Sequence, residues 1–346
     1  FSQQVICMLE ISMIVYLIVF CTVAAFTDWK YGKIYNKWLG LGMLPGIVLV
    51  VVYYFNRQSD ILLYFTNLAA AIIIAILFWT MKMWGAGDSK LWLFVNFIYP
   101  TGWYVTTGTM LFPSMLLFML IFIEAYIFVI LESLWYRFGK RDQGITLQKE
   151  KFQIVWIWDI GFSVLLLSIV YSIMGYLLGE YYESNRIFFS VLGVLSANKL
   201  VNWKIHGKKY FTGMLMVIYI LMGALLYRGF DWEMLLLTVV LVVVTQMSLK
   251  FADKYNYAYI LTSEVKEGMI MSYITIQQFY GSRVKGLPHT TDETTKSRIT
   301  QSEAEAIRRW EKSKYGKDTI MVVRYIPFAI FILIGIVTYL IGVWKL

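Results

Sequence analysis

The chain has 346 residues, 59% of them hydrophobic and only 15% charged, with a net charge of +9 and a mean hydropathy of +0.63. Water-soluble domains carry roughly 25% charged residues, so the composition excludes an ordinary soluble enzyme and implies a polytopic membrane protein. Cys7 and Cys21 make no CxxC pair, which removes a disulfide framework and a zinc knuckle from the reading.

In chain order, apolar runs occupy residues 8–27, 38–55, 60–83, 90–99, 108–134, 153–179, 186–203, 210–228, 232–251 and 325–344. A helix needs about 20 apolar residues to cross a bilayer. The pattern therefore predicts nine membrane helices, plus the short segment 90–99, which crosses only with help from "YPTGWYV". The runs are too long and continuous for barrel strands, and backbone amides in lipid must be satisfied internally. The fold class read from the sequence is all-α, a polytopic membrane helix bundle of about nine to ten segments. Residues 1–27 lack the basic start and small-residue cleavage site of a signal peptide and read as a retained span.

Lys and Arg set the sidedness. With the loop after the first span on the cytoplasmic side, alternating loops on that side hold fourteen Lys/Arg, and the opposite loops hold only Arg57, Arg186 and Arg228. This bias accounts for most of the net charge without nucleic acid, for which no motif is visible. It points to a multi-pass protein of the cell membrane. Trp29, Trp38, Trp84 and Trp92 near the expected boundary suit an aromatic belt.

Residues 252–324 have a soluble composition, and thirteen Lys/Arg lie between 250 and 324. Within them "TQSEAEAIRRWEKSKYG" reads as a helix capped by Thr300 or Ser302 and ended by Gly316. The whole segment reads either as an amphipathic module skimming the membrane or as a substrate-handling element.

Two stretches carry chemistry. "FTDWKYGKIYNKWLG" places Asp28 where the first span leaves the hydrocarbon. "TMKMWGAGDSKLW" places Asp88 at the cytoplasmic end of the third span. The two carboxylates then share one side and one depth. If the helices are neighbours, like charges in contact hold one proton between them and one pKa rises. The ionised partner deprotonates a water while the protonated one donates to a scissile carbonyl, which is aspartic-protease chemistry without metal or cofactor. Gly85 and Gly87 allow a backbone approach to Asp88 that a Cβ would block. Taken singly, GxGD fits any helix-ending turn and Asp28 fits a solvated loop.

Among the other ionisable groups, Glu124 lies mid-span, as either a functional acid or a hydrogen-bonded packing contact. Glu132 and Asp159, near helix ends, read as solvated. His206 and His289 have no partner at metal-ligand spacing.

"DWKYGKIYN" and "GAGDSK" resemble the D-x5-I-x-N and GxGDxK signatures of the type IV prepilin peptidases. The resemblance covers residues 11–135. It implies a membrane aspartic protease with Asp28 and Asp88 as the catalytic pair, Gly85 and Gly87 as the paired glycines, and Ile34, Asn36 and Lys90 at motif positions. Tyr35 stands where many members have proline. "EVKEGMI" and "VRYIPFAIFILIG" resemble the insert and final helix of archaeal-type preflagellin peptidases. The paired CxxC motifs of the bacterial methyltransferase module are absent, so cleavage without N-methylation is expected.

The expected organisation is a catalytic core over 1–137, further membrane helices of unassigned role over 138–252, a cytoplasmic domain over 253–324, and a last membrane helix over 325–346. The resemblance implies cleavage of a basic leader from a prepilin-like precursor in the lipid bilayer, with the site facing the cytoplasm. A dedicated peptide or secreted substrate, or a non-catalytic transport or scaffold role, stays open, and the oligomeric state is undetermined.

Overall fold

A computed structural model describes residues 2–81, 84–105, 112–138, 155–201, 203, 205–225, 232–253, 256–293, 297–324 and 326–345. The protein is mostly helical, with one small sheet, and divides into two compact units. The first comprises residues 1–105, 112–132 and 255–346; the second comprises 106–111 and 133–254.

In the first unit the helices are α1 (Ser2–Tyr31), α2 (Asn36–Asn56), α3 (Ile61–Thr80), α4 (Ala86–Ile98) and α5 (Met115–Phe138), whose last turns belong to the second unit. In the second unit are α6 (Val155–Leu178), α7 (Glu180–Ser184), α8 (Arg186–Val201), α9 (Lys208–Leu225) and α10 (Trp232–Asp253). Among the described residues, five helical stretches are long and apolar enough to cross a membrane: Gln3–Tyr31, Asn36–Asn56, Gln58–Thr80, Met115–Trp135 and Ile157–Leu178. The chain is thus a multi-pass helical membrane protein. Arg186–Ala197, Trp232–Ser248 and Ala329–Gly342 are apolar but shorter. Of the loop residues counted for sidedness, Lys82, Lys140, Arg141, Lys149, Lys151, Lys204 and Arg228 fall outside the described residues.

The short α4 lies inside the first unit, packed on α1, α2 and α3. Trp92 is fully buried and its indole Nε1 donates to Ala71 O on α3 at 3.2 Å. Trp84 is buried against Phe78 and Phe122. These two tryptophans are core residues rather than a boundary belt, because α4 has helices around it and no lipid-facing side for Trp92. Trp29 and Trp38 are exposed.

At the far end of α1 from Asp28 a polar latch ties four segments. Glu10 Oε1 accepts from Tyr53 Oη at 2.8 Å and from Arg57 Nη1 at 2.7 Å, and its Oε2 accepts from Trp103 Nε1 at 3.1 Å. Arg57 Nε also meets Asp60 Oδ2 at 2.7 Å. A buried charge survives only with such partners.

Between α10 and the last helix, α13 (Ala329–Lys345), the chain builds a small α/β module. It has strands β1 (Tyr257–Leu261), β2 (Ile270–Met271) and β3 (Thr319–Val323), and helices α11 (Tyr273–Phe279) and α12 (Gln301–Glu311). The strands form an antiparallel sheet in the order β1-β3-β2, with Tyr257 opposite Val323 and Met271 opposite Val322. "YAYIL" and "TIMVV" are β-branched and aromatic enough to pair once α12 covers them. The module core includes Met271, Ile276, Phe279, Ile307, Trp310 and Ile320.

Thr300 caps α12 as expected: its Oγ1 accepts from Glu303 N at 3.3 Å, and Thr300 N donates to Glu303 Oε2 at 2.7 Å. The helix ends at Glu311, earlier than the expected stop at Gly316. The chain folds back there, and a Cβ on Gly316 would strike the carbonyls of Trp310 and Glu311.

In the second unit, Asp159 pairs with Lys208 at 2.9 Å rather than standing solvated. Lys208 also donates to the carbonyls of Leu200 at 3.3 Å and Val201 at 2.7 Å, closing the C-terminal end of α8.

Candidate active site

Asp28 lies in the last turn of α1, and the helix ends just beyond it. Gly32 N–H donates to Asp28 O at 2.7 Å, and Gly32 holds φ +61°, a left-handed conformation that glycine adopts without Cβ strain. Asp28 is 1% exposed, so it is a buried carboxyl and not a solvated loop charge. Its Oδ2 accepts the backbone N–H of Ala329, the first residue of α13, at 3.2 Å.

Asp88 also departs from its expected place. It does not end the third span but lies in the first turn of the separate helix α4. Gly85 is the N-cap, with φ −77° and ψ 161°, and its N–H donates to Asp88 Oδ2 at 2.9 Å. The three-residue spacing of Gly85 and Asp88 is that of a capping box, in which the third helical residue reaches back to the cap. GxGD in this chain is therefore a helix-starting motif. A Cβ on Gly85 would stand 3.0 Å from Asp88 Oδ2.

The other motif residues join the two loops. A Cβ on Gly87 would lie 3.3 Å from Ile34 Cβ, so the glycine's missing side chain is the seat of Ile34. Lys90 Nζ donates to Asn36 Oδ1 at 2.8 Å. Tyr35 takes the extended conformation, φ −79° and ψ 123°, as N-cap of α2. This lies in the φ range that proline would impose. All seven sequence-derived positions, Asp28, Ile34, Asn36, Gly85, Gly87, Asp88 and Lys90, thus belong to one junction of α1, α2 and α4.

Asp88 is 8% exposed and lies outside the five membrane-crossing stretches. Burial first, and the neighbouring Asp28 charge second, push its carboxyl up to about 7, while the Gly85 amide and the Arg298 guanidinium pull the other way. Asp88 therefore keeps its proton to higher pH than an ordinary carboxyl does.

Three contributors have no signal in the two motifs. Ala329 supplies an amide from 301 residues downstream. Arg298 comes from the α/β module. Trp84 and Phe328, with ring centroids 6.0 Å apart, form part of an aromatic wall with Phe122. Among the described residues Trp84 Nε1 is buried without a hydrogen-bond partner. The proline in "YIPFA" is the one hint, since it marks a helix start close to Ala329.

Glu124 is a packing contact in this structure: its Oε1 accepts from Thr338 Oγ1 of α13 at 2.6 Å. Glu132 is ion-paired with Arg324 rather than solvated. Among the described residues no three His, Cys, Asp or Glu side chains gather into a metal-holding group.

No family model, curated protein or solved structure matches the chain.

Proposed function

We propose that the chain is a membrane aspartic endopeptidase that cuts a short basic leader from a prepilin-like precursor, without methylating the product. The observation that carries this reading is the buried pair of carboxyls, Asp28 and Asp88, delivered by two loops that clasp each other through Ile34–Gly87 and Asn36–Lys90. In the proposed reaction Asp28 takes a proton from water, and the water oxygen bonds to the scissile carbon. Asp88 gives its proton to the carbonyl oxygen. The gem-diol then collapses: Asp28 passes its proton to the amide nitrogen, a diol hydroxyl returns a proton to Asp88, the C–N bond breaks, and the amine and the carboxylic acid leave.

In this reading the apolar runs supply nine to ten membrane segments in the cell membrane, with the pair and the α/β module on the cytoplasmic side. A helix offers no cleavable bond, because its carbonyls are already hydrogen-bonded. The cut therefore falls just outside the substrate's apolar helix, with the basic leader held at the anionic leaflet by roughly 1 kcal/mol per Lys or Arg.

The test uses the full chain in liposomes and a precursor with a Lys/Arg-rich leader, a glycine and an apolar helix. Mass spectrometry should find one cut after the glycine. Moving that junction about one helical turn, 5.4 Å, deeper into the apolar segment should abolish it. Efficient cutting of the shifted precursor would contradict a boundary protease, and no cutting of either would contradict the function.

A further inference from the structure

The α/β module is not merely adjacent to the aspartate pair. Its residue Arg298 bridges to Ile270 beside β2, and the flanking Ile299 N–H donates to Met269 O at 3.0 Å, so the backbone that carries the side chain is tied into the module. The guanidinium projects onto the turn that follows Asp28. A Cβ added to Gly32 would stand 2.6 Å from Arg298 Nη1 and 3.0 Å from Nη2. Only a residue without a side chain accepts both the left-handed φ and that cover. A second contact joins the same loop to the module, Lys33 Nζ to Glu267 Oε1 at 3.8 Å, but both of those side chains are about half exposed and the pair contributes little.

We propose that Arg298 is a positioning residue of the aspartate pair: its guanidinium covers the Gly32 turn that ends α1 and sets a fixed positive charge toward Asp88. The pair is then incomplete without the module, although Asp28 and Asp88 belong to α1 and α4. The groups acting on the Asp88 carboxyl are Asp28 from α1, Arg298 from the module and the Gly85 amide of its own loop. Lys90, two residues on, is turned to Asn36 at the head of α2. From α13 comes the Ala329 amide, which goes to Asp28. Arg298 is thus a cation that opposes the Asp28 charge at the Asp88 carboxyl, and its loss should make Asp88 hold its proton to higher pH.

This role rests on the protease reading, so the test has one arm that needs no substrate. In the full chain in liposomes, a carbodiimide labels a carboxyl in its protonated form, and mass spectrometry follows labelling of Asp88 against pH. R298M should move half-labelling to higher pH, and R298K should return it toward the wild-type value. In the second arm R298M should lose roughly tenfold in kcat/KM on the glycine-junction precursor, with its alkaline limb moved upward, and R298K should recover most of the rate. E267Q, which breaks the other module contact, should leave both readouts unchanged. An unmoved Asp88 profile in a folded R298M overturns the assignment, as does an R298K that fails to restore a shifted one. Uncut precursor with a wild-type chain whose Asp88 profile still responds to Arg298 would overturn the protease reading alone.

Discussion

Lys90 and Asn36 stand 54 residues apart in the chain, and Lys90 Nζ donates to Asn36 Oδ1 at 2.8 Å. The bond ties the first turn of α4, which carries Asp88, to the first residue of α2, just past the loop that follows Asp28. It is solvent-exposed, and exposed charged contacts contribute about 0–1 kcal/mol. N36A and K90A should therefore leave thermal unfolding nearly unchanged. They should reduce cleavage several-fold, since a misplaced group costs rate more than stability. Equal and full activity in both variants would remove the clasp from the account.

Gly87 gives a steric test of the same junction. A leucine there must displace Ile34, whose Cβ would stand 3.3 Å from the new Cβ. G87L should reduce activity by more than roughly tenfold, because overpacking shifts backbone that holds the acid. I34A in the same chain should restore part of it. A double variant no better than G87L would mean that Gly87 serves something other than the seat of Ile34.

The pH response follows from Asp88, pushed up to about 7 from 3.8 by burial and by Asp28. Cleavage needs the proton on the pair, so the rate should fall as pH rises through about 7. Stability carries the same sign. Below the ordinary carboxylate value the contribution is fully present, and it is lost as pH rises through about 7, because the native state binds the extra proton in that window. Unfolding in detergent at a series of pH values should show this, and D88N should flatten the trend. A wild-type rate still climbing well above neutral pH would contradict the protonated role of Asp88.

The Glu10 latch predicts stability without chemistry. Eighteen residues of helix place Glu10 roughly 27 Å from Asp28. R57M leaves the Glu10 carboxylate short of its cation and should cost about 1–3 kcal/mol. E10Q/R57M should cost less than the two single changes together. Cleavage per folded molecule should stay near wild type, and a specific loss of rate would show coupling between the two ends.

Much of this architecture was legible in the residues because lipid imposes a simple code. Long apolar runs must become helices, and a described helix lies in each of the ten runs, although among the described residues five stretches are long and apolar enough to cross. The pairing of Asp28 with Asp88 was an expectation drawn from sidedness and from the resemblance carried by the two motifs. Local backbone chemistry was harder to read. GxGD has the composition of a helix end, and only the Gly85 N–H to Asp88 bond reveals it as a helix start. Trp84 and Trp92 looked interfacial because sequence does not show that α4 has neighbours on every side. The sheet was hidden in segments of two to five residues, whose pairing is non-local. Arg298 and Ala329 reach Asp28 and its turn from about 270 and 301 residues away, respectively; proximity of that kind leaves no local pattern.

The central claim is that Asp28 and Asp88 work as one catalytic pair, and the most direct measurement is cleavage of the glycine-junction precursor by D28N and D88N chains at matched membrane levels. Asparagine keeps the shape and removes the titrating proton. The account predicts a single cut by the wild-type chain and a loss of roughly a thousandfold or more in each variant, with both still folded. Near-wild-type cleavage by either variant would contradict it.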